Sequence, residues 1–175
     1  MEVLSYLLSI AGLLCMIAAS LVKGKNMKTI LALVFCGNTL VATSYLTGGN
    51  GINGAASCYL GALQTLINYF FERNRKPLPV WLVSLYVFAF VLCNLAVGGF
   101  SALGLLAIVA SLTFVMCIGQ KTGARYRFWT IVNMVLWCLY DILSYSFGAL
   151  TTHLPLLLFT IVGMLLYDTT KAKTE

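Results

Sequence analysis

The chain has 175 residues, 61% of them hydrophobic and 9% charged, with a mean hydropathy of +0.94. So little polar surface excludes a soluble globular domain of this size. The net charge of +6 comes from eleven Lys and Arg against five Asp and Glu, but the positive residues are spread over four short segments with no continuous basic face, which argues against a nucleic-acid partner.

Seven apolar stretches follow one another: Val3 to Val22, Thr29 to Thr47, Ile52 to Phe71, Pro79 to Gly99, Ser101 to Gly119, Phe128 to Phe147 and Leu150 to Tyr167. Each has about the 17 to 25 residues that a helix needs to cross a hydrocarbon core of about 30 Å. Lys23, Lys25 and Lys28 fall between the first two, Arg73, Arg75 and Lys76 between the third and fourth, and Lys121, Arg125 and Arg127 between the fifth and sixth. Lys171 and Lys173 follow the seventh. The other gaps hold no basic residue, so every second gap is marked as cytoplasmic. The amino terminus with Glu2 is then expected outside and the carboxyl terminus inside. Lys23, Gly24 and Lys25 after the first stretch lack the small-residue pattern of a cleavage site, so that span is expected to be retained.

Cys15, Cys36, Cys58, Cys93, Cys117 and Cys138 are distributed one to a span over the first six spans. Their spacing matches no zinc, haem or disulfide framework, and a membrane-buried thiol behaves as a small hydrophobe. No metal and no cofactor are expected.

A shift of 95 positions lays span two on span six, with Asn38 on Asn133 and Tyr45 on Tyr140. A shift of 97 lays span three on span seven and matches Gly51 with Gly148. The chain is therefore expected to be an all-α membrane protein whose seven transmembrane helices form two parallel three-helix repeats joined by a connector helix. Residues 1–72 would be the first repeat, 73–99 the connecting loop with helix four, and 100–175 the second repeat and tail. Parallel repeats are related by an axis along the membrane normal, and such architectures bind their ligand between the repeats near the midplane.

This plan resembles the superfamily of the SWEET sugar facilitators and the PnuC-type vitamin transporters (MtN3-like). The segment from Tyr45, Leu46, Thr47, Gly48 and Gly49 through Asn53, Gly54 and Ala55 to Leu63, Gln64, Thr65, Leu66 and Ile67 carries a closer likeness. With Trp137, Cys138, Leu139, Tyr140 and Asp141 through Ser146, Phe147, Gly148 and Ala149, it is similar to the YgjV-type bacterial inner-membrane proteins. The resemblance implies a transporter-like relationship in a bacterial cytoplasmic (inner) membrane. The tryptophan-rich WxxWxxxN-like motif of the PnuC pattern is missing, its nearest feature being Asn133 followed by Trp137, which argues against nicotinamide riboside as the substrate.

Polar residues inside the spans are the candidate site. In span six Asn133, Trp137, Tyr140 or Asp141, and Ser144 recur at helical spacing. Counted from Phe128, Trp137 falls near the bilayer midplane, whereas Trp81 and Trp129 sit at helix starts, where interfacial aromatic belts lie. Asp141 is the one acid within the apolar stretches, and an ionisable group there lines a polar interior or pathway. The sole histidine, His153, stands six residues after Phe147 as Asp141 stands six before it, so a hairpin centred on Phe147 brings both to one depth. Pro155 leaves a second option: a first helical turn that tolerates proline would leave His153 in the loop. In the first repeat Asn53, Ser57, Gly61, Gln64 and Asn68 share a face of span three, and Asn38 and Tyr45 share one of span two. Amides and hydroxyls of this kind either bind an uncharged polar ligand or join helices.

The expectation is a transporter, facilitative or proton-coupled, moving a small polar solute such as a vitamin precursor, nucleoside or sugar by alternating access. Asn38, Tyr45, Asn53, Ser57, Gln64, Asn133, Trp137 and Tyr140 would bind substrate, with Asp141 and His153 as the coupling or gating pair. A non-transporting receptor or accessory subunit is the alternative. An enzyme is not expected, because no nucleophile, paired acids or metal cluster is placed by spacing. The partners are the solute and the lipid bilayer; a homo-oligomer is compatible with the sequence but not required by it.

Overall fold

The computed structural model describes residues 2–23, 26–48, 52–145 and 147–168. They form seven helices: α1 (Glu2–Ser20), α2 (Met27–Gly48), α3 (Ile52–Arg73), α4 (Val80–Gly98), α5 (Ala102–Ile118), α6 (Gly123–Leu143) and α7 (Phe147–Tyr167). Among the described residues there is no strand. Three helices are long and apolar enough to cross a membrane, over Val3–Ser20, Met27–Thr47 and Ala149–Tyr167, and α4 and α5 contain shorter apolar runs.

Local chemistry sets the helix ends. Asn26 accepts the Thr29 N–H through its side-chain oxygen, so α2 starts two residues before the apolar run. Ser101 caps α5 by accepting from Gly104, after Gly99 has turned the chain at φ +58°. Thr122 caps α6 by accepting from Arg125, which starts this helix five residues ahead of the expected Phe128. The α6–α7 turn moves accordingly, to residues after Leu143 rather than around Phe147. Because α7 begins at Phe147, Pro155 lies inside a helix and not in its first turn, and His153 is helical. The option of a loop histidine is thereby removed.

Each helix packs against the next in sequence, and α1 and α7 meet to close the order. Consecutive helices are antiparallel, as the polar bridges show. Ser5 and Ser9 on α1 reach Ser44 on α2, and Thr43 meets Tyr59 on α3 at 3.1 Å. Asn94 on α4 donates to Ser111 on α5 at 3.0 Å. One end of the bundle therefore gathers the turns that carry Lys and Arg; it is called the basic end below.

Polarity is distributed inside out. Asn38, Ser44, Gln64, Thr65, Asn68, Asn94, Ser111, Arg127, Thr130, Asn133, Asp141 and Thr160 are buried, while Val3, Leu7, Leu14, Trp81, Phe88, Phe159 and Leu165 stand exposed on the outer faces. Two apolar clusters are buried as well, and both lie toward the basic end. One joins Ala19, Met27, Ile30, Leu31, Val34, Cys117, Ile118 and Tyr126; the other joins Leu82, Tyr86, Phe90 and Val115. Small residues permit the closest approaches. A Cβ on Gly12 would stand 2.7 Å from Val41 Cγ2 and 3.0 Å from the Gly37 carbonyl, so α1 and α2 are in backbone contact there.

Candidate functional site

At the end opposite the basic turns, α6 and α7 bring together the titratable residues of the spans. Asp141 is buried with 2% of its side chain exposed, and its Oδ2 lies 2.7 Å from Nδ1 of His153. The pair forms because Asp141 occupies the last turn of α6 and His153 the second turn of α7, on facing sides of an antiparallel hairpin. Trp137, one turn before Asp141, stacks on the imidazole with ring centroids 5.8 Å apart and planes at 26°. Tyr140 meets the same indole edge-on at 5.4 Å. Four candidate residues from two helices are thus neighbours at this end. Tyr45 lies near the end of α2 on the same side of the bundle. Trp137 lies fourteen residues after the first residue of α6, about 21 Å along a helix of about 31 Å, so it sits nearer the α6–α7 turn than the middle of the helix that a start at Phe128 would give it.

The amides divide by what they bond. Asn133 donates to the Ala110 carbonyl at 2.6 Å and to Thr113 at 2.9 Å, which commits it to the α5–α6 contact. Asn38, 95 positions earlier in the sequence, is also buried, yet its Nδ2 has no partner among the described residues. The Asn38 amide faces Gly61, where an added Cβ would come within 3.5 Å of it and 3.1 Å of Phe114. One turn further along α3, Gln64 is 1% exposed, and neither Nε2 nor Oε1 has a hydrogen-bond partner. Ser57 approaches Cys93 on α4 at 3.9 Å and belongs to the α3–α4 contact. The side chain of Asn53 lies outside the described residues.

Gln64 lines a cavity of about 280 Å³ between α3, α4 and α5, with Tyr86, Val83, Val115 and Met116 on its walls and Gln120 and Lys121 at its basic-end mouth. The Tyr86 hydroxyl is used by Asn68, which in turn donates to the Ile118 carbonyl. The neutral amides and the Asp141–His153 pair therefore occupy different depths. Of the substrate-binding candidates whose side chains are described, Gln64 lines this cavity.

Two residues that sequence reasoning assigned to loops and ends form the strongest polar contact of the basic end. Arg127 is 1% exposed; its Nε and Nη2 donate to both Asp168 oxygens at 2.8 and 2.6 Å. Its Nη1 donates to the Val22 carbonyl at 2.9 Å and the Ser20 carbonyl at 3.4 Å, and its guanidinium lies 5.6 Å from the Tyr167 ring. One side chain thus satisfies two orphan carbonyls at the end of α1 and ties α1, α6 and α7 together. The signal was available in Thr122: read as a helix cap, it places Arg127 within α6, on the stripe that continues through Thr130, Met134, Cys138 and Asp141. Arg127 is a structural tie as well as a topology signal. Among the described residues no group of three or more His, Cys, Asp and Glu is placed to hold a metal ion.

Comparison with protein-family models, curated proteins and solved structures returns no match. The geometry carries the functional argument.

Proposed function

We propose that this protein is a small-solute transporter of the bacterial cytoplasmic membrane, with seven spans arranged as two three-helix units about α4. The inside-out polarity supports lipid as the surrounding solvent, since exposed Leu, Phe and Val cost nothing there while buried polar groups must find partners within the bundle. The basic turns then face the cytoplasm.

The observation that carries the transport reading is the buried Asp141 paired with a partly exposed His153 that stacks on Trp137. A protonatable couple inside a span is expensive to keep and marks a coupling or gating element. Tyr140 against Trp137, with Tyr45 at the same end of the bundle, adds a polar aromatic character suited to a small uncharged solute such as a nucleoside, sugar or vitamin precursor. Alternating access would move α1–α3 against α5–α7, opening the ends in turn. The YgjV-type likeness of residues 45–67 and 137–149 points the same way.

Uptake of labelled nucleosides, sugars and vitamin precursors into proteoliposomes, with an imposed pH gradient, tests this reading. Wild-type flux should respond to the gradient, and Asp141→Asn should abolish that response while uptake down a solute gradient persists. An unchanged pH response in Asp141→Asn removes the coupling role. Absence of flux for a solute that binds supports the second reading, a non-transporting receptor or accessory subunit. The Arg127 tie favours that reading, because it joins α1 to α6 and α7 and so links the two units at the basic end.

A further inference from the structure

The cavity between α3, α4 and α5 has one polar group that nothing in the fold explains. Of the buried asparagines on these helices and their neighbours, Asn68, Asn94 and Asn133 donate to carbonyls or hydroxyls, and only the Asn38 Nδ2 has no partner among the described residues. Gln64 alone leaves both ends of its carboxamide without a partner while 1% exposed. A buried amide kept in that state loses the hydrogen bonds it had in water and regains none. Methionine would fill the same space without that loss.

We propose that Gln64 is a recognition residue for a neutral solute bearing an amide-type edge, an N–H beside a C=O, as in a lactam, an imide or a carboxamide. The carboxamide offers an acceptor and a donor side by side in one plane, and such an edge returns the complementary pair. The walls Val83, Val115 and Met116 are apolar and take a flat ring, while the Tyr86 hydroxyl is committed to Asn68. Among the described residues that line the cavity, Lys121 is the one charged side chain and no carboxylate is present. A positive charge on the solute would therefore be buried without a counter-ion, which selects against cations. A cavity of about 280 Å³ has room for one ring with small substituents. Asn38, one turn of α3 away beside Gly61, supplies the next free donor toward the interior. This inference rests on the small-solute reading above and names the solute class for it.

The test uses the full-length protein in lipid nanodiscs and equilibrium dialysis with radiolabelled uracil, 2-pyrrolidinone and benzamide. The control is 1,3-dimethyluracil, which keeps the ring and carbonyls but loses both N–H donors. Uracil should bind at least about tenfold more tightly than its dimethyl analogue, since a site built around paired hydrogen bonds rejects a ligand that leaves its own groups unpaired. Gln64→Met should erase that preference and, without ligand, raise the melting temperature by about 2 to 4 °C per kcal/mol of relieved desolvation. Equal binding of uracil and dimethyluracil overturns the proposal, as does the absence of binding by any of the three amides up to about 10 mM. A lower melting temperature of Gln64→Met with amide binding intact overturns it too, because Gln64 would then be structural. Binding without flux removes the transporter reading and leaves this site standing. Flux that survives Gln64→Met with unchanged selectivity does the reverse.

Discussion

Arg127 and Asp141 are both buried charges, but they answer to different physics. Arg127 has every hydrogen-bonding nitrogen engaged, with a forked pair to Asp168 and two backbone carbonyls. Removing such a partner leaves a buried carboxylate and two open carbonyls. Arg127→Met should therefore destabilise the protein by about 3 to 5 kcal/mol, read by denaturant titration in micelles. Arg127→Lys keeps the charge but not the planar fork and should recover only part of the loss. Asp141 was visible in the sequence as a lone acid among apolar residues, but its contact with His153 was one of two options there; the structure pairs them at 2.7 Å around a turn that follows Leu143 and is not centred on Phe147. Arg127 was not visible as a contact, because its partners lie 41 residues away in Asp168 and 105 away in Val22.

At the scale of the helix, the apolar runs located all seven elements, with ends displaced by up to five residues where a cap overrode hydropathy. Thr122 extends α6 backward through Arg125 and Arg127, which a window of hydrophobicity ends early. Between elements, glycine decides how closely helices meet. An added Cβ on Gly163 would stand 2.6 Å from the Ser20 carbonyl oxygen, a backbone atom at the α1–α7 contact. Gly163→Ala should force those helices apart and cost about 1 to 3 kcal/mol. Gly119→Ala, whose Cβ meets nothing closer than 3.4 Å, should change stability by no more than about 0.5 kcal/mol. The same denaturant titration compares the two variants; equal losses would contradict the packing argument.

For the molecule as a whole, the two ends differ in construction. The basic end holds both buried apolar clusters and the Arg127 tie. The other holds the Asp141–His153 pair and its aromatic neighbours. If solute moves by displacement of α1–α3 against α5–α7, the α1–α7 seam must open. Ser20 and Thr160 face each other across it, with hydroxyl oxygens 2.9 Å apart. A Ser20→Cys, Thr160→Cys double variant, oxidised to a disulfide, should abolish uptake, and reduction should restore it. Full flux in the oxidised form, with cross-linking verified by mass spectrometry, would show that this seam stays closed during transport.

Hydropathy and charge, read along the chain, determined the helical class, the number and order of helices, the end at which basic turns collect, and some of the polar residues that are buried, Asn38, Gln64, Asn133 and Asp141 among them. These follow from local sequence because a run of apolar residues and a cap act within one helix. Only the tertiary structure decided which of those polar residues are consumed. Asn38 and Asn133 both sit on buried helix faces, yet Asn133 donates twice while the Asn38 Nδ2 has no partner among the described residues. Helical phase and the neighbour across each contact set that difference, and neither is written in the spacing of a single span. The same reason separates Gln64, unpaired beside a cavity, from the bonded asparagines around it.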